Sequence, residues 1–117
     1  AMTFESGKSY VIVQHLSKRG PGPQAAERIR DFLIAGGVPA AVHSGGPDLV
    51  VVATEPFSID PKKRKDAADP ERKRAQQLMD RIRKLGEQYV TNGYTFKDCY
   101  LREFCPPLHA PRYKIQP

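Results

Sequence analysis

The pattern of apolar and polar positions divides the chain into six segments of regular structure. Ser9–Ser17 (Ser-Tyr-Val-Ile-Val-Gln-His-Leu-Ser) holds four consecutive β-favouring residues, Tyr10 to Val13, closed by the polar Gln14. Apolar residues at successive rather than alternating positions suit a central strand with both faces covered. The strand runs into Lys18-Arg19-Gly20-Pro21-Gly22-Pro23, a turn cluster that no strand or helix interior tolerates. Residues 23–36 then predict a helix. Pro23 suits its first turn, Ala26, Ile29 and Leu33 form an apolar stripe flanked by Ala25 and Phe32, and Gly36-Gly37 closes it. Val38 to His43 predicts a short strand that Pro39 confines to a sheet edge. Ser44-Gly45-Gly46-Pro47 reads as a hairpin-type turn, and Leu49 to Thr54 as a third, strongly apolar strand.

Beyond Glu55 the pattern loosens. Residues 56–70 hold three prolines and the basic tetrad Lys62-Lys63-Arg64-Lys65, which predicts an exposed loop. Asp69-Pro70-Glu71 supplies an N-cap, a first-turn proline and an acid favoured by the helix dipole. In the helix that follows, Ala75, Leu78, Ile82, Leu85 and Tyr89 recur at helical spacing with charges opposite, and Asn92-Gly93 ends it. Residues 94–104 alternate, with Tyr94, Phe96, Tyr100 and Phe104 sharing one face, and predict a fourth strand whose aromatic stripe serves either as core or as a stacking surface. Cys105 to Pro117 reads as a proline-rich extended tail, and residues 1–8 as an extension whose Ala1-Met2 resembles a cloning remnant. The domain spans 9–104, with the basic loop 58–69 inserted in it.

This order predicts an α+β fold, βαββαβ and ferredoxin-like, with a four-stranded antiparallel sheet and two helices on one face. The first and third strands are central, which agrees with their apolar runs. Simple alternation sends Val11, Val13 and His15 towards the helices, and places Tyr10, Ile12, Gln14, Leu16, Val51 and Ala53 on the open face. That face is notably apolar, so either the tail 105–117 lies across it or a protein partner does.

Charge changes the picture only locally. The net charge of +6 arises entirely after residue 57, where 14 basic residues face 8 acidic ones, against five and five before it. Such an excess either attracts an anionic partner or marks a solvated helix face. No apolar run approaches a membrane span, and no signal-peptide h-region opens the sequence.

Candidate chemistry is sparse. Cys99 and Cys105 either close a small loop or are both free thiols. His15, His43 and His109 lie far apart with no cysteine pair beside them, so no metal site and no cofactor is expected. Cys99 lacks an evident base and orienting group, and Ser44-Gly45-Gly46 lacks the helix and lysine of a phosphate loop. No paired carboxylates stand out. An enzyme is not expected.

Several residues nonetheless carry a resemblance. Val13-Gln14 ends the first strand; Ala25, Ile29, Leu33 and Gly37 pattern the first helix; Pro39-Ala40-Ala41-Val42 follows. Then come Val50-Val51-Val52 with Glu55-Pro56-Phe57, and Ala75, Leu78, Ile82 and Leu85-Gly86 before the last strand. Over about residues 9–102 this pattern resembles a SPOR domain, the peptidoglycan-binding module of bacterial cell-division and cell-envelope proteins. The resemblance implies a noncatalytic module of a larger protein in the cell envelope, binding glycan strands stripped of their peptides on the sheet surface away from the helices. It also implies that Gln14 faces the ligand, joined on the open face by Tyr10, Ile12 and Val51. Read on its own chemistry, Gln14 bonds either a glycan or its own backbone. The family's Gly-Pro-Phe becomes Glu55-Pro56-Phe57 here, so the turn glycine is absent. Two further functions fit the fold: a protein-interaction domain using the apolar sheet face, and a nucleic-acid binder using the basic second half. The latter is disfavoured because Leu49 to Ala53 offers no stacking aromatic.

Overall fold

The computed structural model describes residues 4–59, 68–89 and 93–104. Its elements run β1 (Ser9–Ser17), α1 (Gly22–Ala35), β2 (Ala40–Gly45), β3 (Asp48–Ala53), α2 (Pro70–Gln88) and β4 (Tyr100–Glu103). The strands form one antiparallel sheet in the order β2-β3-β1-β4. The fold is therefore α+β, in the ferredoxin-like βαββαβ arrangement, with β1 and β3 central and β2 on an edge directly after Pro39.

The apolar stripes explain the layering. Ala25, Ala26, Ile29 and Leu33 of α1 and Ala75 and Ile82 of α2 are buried in one cluster with Val11, Val13, Leu16, Val51 and Ala53. Both helices thus cover the same sheet face. Burying each large aliphatic side chain there contributes about 1.5–3 kcal/mol. At the entry to α1, Gly22 lies so close to β1 that an added Cβ would sit 1.8 Å from the Ser17 carbonyl oxygen. The end of α1 uses Gly37 in the left-handed region, φ 87°, one residue past the C-cap Gly36. At the start of α2 the Asp69 carboxylate accepts a hydrogen bond from the Glu71 N–H at 3.3 Å, with Pro70 in the first turn.

Three departures from simple periodicity matter. In β1, Ile12 pairs with Val52 but Gln14 pairs with the adjacent Val51, so Val13 and Gln14 together oppose one residue. This β-bulge turns the remainder of the strand over. Gln14 and Leu16 consequently share the helix face with Val51 and Leu49, whereas His15 shares the open face with Val50. The alternation-based placement of Gln14, Leu16, His15, Val51 and Ala53 is corrected accordingly; that of Tyr10, Ile12, Val11 and Val13 holds.

β4 is four residues long rather than eleven. Phe96 adopts φ 59°, the left-handed region that side chains rarely enter, and a turn at 97–98 follows. The cost of that conformation is offset by a fully buried ring packed near Phe32 and Tyr89. The predicted aromatic stripe is thereby split: Phe96 and Tyr94 join the helix-side cluster, and Tyr100 and Phe104 reach the open face. Phe57, assigned by composition to an exposed loop, is also fully buried, and its backbone exchanges hydrogen bonds with Ser9. The basic tetrad, Asn92 and the tail 105–117 lie outside the described residues.

Candidate functional site

The open face divides into two unlike parts. One is apolar and closed. Tyr10, Ile12, Val50 and Val52 are buried in a second cluster, joined by Ala41, Phe4 and Phe104. A turn at Glu5–Lys8, with Gly7 at φ 79° and the Lys8 N–H donating to the Glu5 carbonyl at 3.3 Å, folds the preceding residue back over β1. The Phe4 ring then meets Tyr10 edge-on at 4.9 Å, His43 edge-on at 4.8 Å and Phe104 in a stack at 5.2 Å. The Glu5 N–H donates to Tyr10 Oη at 2.8 Å, and the Gly7 N–H to the Phe104 carbonyl at 3.2 Å. A strap from within the chain therefore covers the apolar part of the face.

The other part is polar, aromatic and open. His15 Nε2 and Tyr100 Oη lie 2.7 Å apart. The two rings are parallel within 5° with centroids 5.9 Å apart. A face-to-face stack would hold the hydroxyl over the imidazole, not at the in-plane lone-pair position of a ring nitrogen. The rings therefore lie parallel and offset, joined at their polar edges, and together present one aromatic plate. On its far side Asp48 Oδ2 stands 3.8 Å from His15 Nδ1, an ion-pair distance that leaves the carboxylate free to accept further bonds. The side chains of His15 and Asp48 are 45% and 49% exposed, and Tyr100 is 38% exposed. Arg102, exposed and opposite Tyr10 in the register, continues the same face of β4 beyond Tyr100. From β3 across β1 to β4, this face thus carries an acid, a two-ring plate and a cation.

The four residues proposed from sequence for ligand contact fare unequally. Tyr10 and Ile12 lie on the open face but are 3% and 8% exposed beneath the strap. Val51 is 0% exposed in the helix-side core and so is withdrawn as a contact residue. Gln14 is half-buried on the helix side of the sheet, and its Nε2 donates to the His15 carbonyl at 3.2 Å, the local backbone bond that was its alternative role. The bulge moves His15 into the position Gln14 was expected to hold. No local signal marks that exchange, because His15 and Tyr100 are 85 residues apart.

Elsewhere, titratable groups serve packing. Arg74 bonds both Glu55 and Glu71 and lies over the Phe57 ring, 5.2 Å from its centroid. The Ser58 N–H donates to the Glu71 carboxylate at 2.9 Å, and this bond holds that carboxyl below its ordinary pKa despite some desolvation, with help from Arg74. Cys99 is a free, buried thiol whose pKa is pushed up by burial. Among the described residues no group of three or more His, Cys, Asp or Glu side chains is placed to hold a metal ion, and no helix is long and apolar enough to cross a membrane.

The fold and this face define a small α+β domain whose helix-free sheet surface is half sealed and half open. No family model, no curated protein and no solved structure matches the chain.

Proposed function

We propose that this domain is a noncatalytic module that binds peptidoglycan glycan strands as part of a larger envelope or division protein. The observation that carries the reading is the exposed His15–Tyr100 plate with Asp48 at its edge, on the sheet face that the helices leave bare. Sugar recognition needs an aromatic surface for the apolar face of a pyranose and acceptors for its hydroxyl and amide hydrogens. The plate supplies the first and Asp48 the second. The two rings are held by their mutual bond, so little side-chain entropy is lost on binding. The strand order and the pattern shared with SPOR domains support the same ligand class.

A protein-docking role for the apolar face loses its motive, because Phe4 and Phe104 already cover that part. The test is co-sedimentation of the domain with isolated sacculi, before and after amidase removal of the stem peptides, at low and moderate salt. Pelleting that rises on amidase-treated sacculi and persists in salt is expected. Absence of pelleting, or its loss at modest salt, would reject the reading.

A further inference from the structure

We propose that Arg102 reads the lactyl carboxylate of muramic acid, and that this contact is what selects peptide-free glycan; the inference rests on the glycan-binding reading above. Amidase cleavage breaks the amide between the lactyl group and the first residue of the stem peptide. Each muramic acid is left with a free carboxylate where a neutral amide stood. A domain that prefers stripped glycan therefore needs a cation placed to meet that anion, beside the surface that seats the sugar ring.

The β1–β4 seam has this arrangement. Tyr100 and Arg102 are two residues apart on β4, so their side chains leave the same face about 7 Å apart along the strand. Arg102 is exposed and has no carboxylate partner among the described residues, unlike Arg74, Arg30 and Arg83, which are all paired. Of the other charges near it, Asp48 lies at the opposite end, beyond His15, and Glu103 falls on the other side of β4 by alternation. Glu5 is at the same end, in the strap, where its N–H bonds Tyr10 opposite Arg102, but it forms no ion pair with the guanidinium. The strap bounds the same end: Phe104, next on Arg102's side of the strand, is stacked under Phe4. A ring seated on the plate thus finds an acceptor at one edge and a guanidinium at the other. A planar guanidinium binds a carboxylate through two parallel bonds, whereas an amide offers it one neutral acceptor.

The experiment pairs soluble sugars with sacculi. Amide chemical shifts of the ¹⁵N-labelled domain are followed on titration with N-acetylmuramic acid, its methyl ester and N-acetylglucosamine, and pelleting is measured on amidase-treated sacculi. Arg102→Gln is compared with Lys84→Gln, which removes the same charge from exposed α2 on the far side of the sheet. Expected for the native domain are shifts at Tyr100 and Arg102, with the acid binding about tenfold tighter than its ester. Arg102→Gln should abolish that difference and lower pelleting by a similar factor while leaving N-acetylglucosamine binding unchanged; Lys84→Gln should change neither. Equal binding of acid and ester, or equal losses in both variants, would overturn the role of Arg102 while pelleting of the native domain still upheld the glycan reading. Native protein that binds free N-acetylmuramic acid through Arg102 but ignores sacculi would sink the strand-binding reading and keep the carboxylate site. Binding to neither would remove both.

Discussion

His15 Nε2 and Tyr100 Oη share a hydrogen bond 2.7 Å long across the seam between β1 and β4, and the two rings lie parallel within 5°. Its existence depends on the bulge at Val13-Gln14, which turns His15 out of the core and Gln14 away from the open face. The same geometry sets the first prediction. His15→Ala and Tyr100→Ala should each weaken binding to amidase-treated sacculi several-fold, since stacking on an aromatic side chain is worth of the order of 1 kcal/mol. Gln14→Ala should leave binding unchanged. Pelleting assays on the three variants decide between the plate and the residue that alternation alone would choose.

The strap makes a stability prediction. Phe4 is half-buried against Tyr10, His43 and Phe104, so Phe4→Ala removes most of the cover from the second cluster. A loss of about 1–3 kcal/mol is expected, below that of a fully buried phenylalanine because part of the ring already meets water. Urea unfolding monitored by tyrosine fluorescence measures it, with tyrosine quenching reporting exposure of Tyr10. An unchanged midpoint would show that the strap does not pack.

Gly86 separates local preference from tertiary contact. Alanine is favoured over glycine in a helix interior by about 1 kcal/mol, so propensity alone expects Gly86→Ala to stabilise α2. The packing expects the reverse. A Cβ at this position would lie 1.9 Å from the Thr95 carbonyl oxygen and 3.1 Å from the Phe96 ring. Relief requires moving the segment that carries the left-handed Phe96, and a loss above about 2 kcal/mol is expected. Thermal unfolding of the variant gives the sign directly.

Glu71 predicts an acid limb. Its carboxyl is held below the ordinary value of 4.5, first by the Ser58 N–H and then by Arg74. A depressed folded-state pKa means that the carboxylate contributes stability above the unfolded value, and that the contribution is lost as pH falls through the folded one. Glu71→Gln should therefore be less stable than the native domain at pH 7, with the gap closing below about pH 4.5. Urea midpoints at pH 7 and pH 3 test this; a gap that stays constant would assign the difference to packing, not charge.

What the amino-acid sequence determined by itself is the order and kind of the elements. The helices follow from apolar spacing and from end signals such as Asp69-Pro70-Glu71, and the central place of β1 and β3 follows from their unbroken apolar runs. These features depend on neighbours within a turn or two, which the sequence displays directly. Which side chains face the open side of the sheet was decided only by the tertiary structure. Facing in a strand has period two, so one extra residue at Val13 reverses Gln14, His15 and Leu16 together, and nothing local announces it. The end of the fourth strand's pattern was likewise decided at a distance, where burial of Phe96 against Phe32 and Tyr89 outweighs its backbone preference. The pairing of His15 with Tyr100, and the folding of Phe4 over Tyr10, join residues that only the assembled sheet makes neighbours.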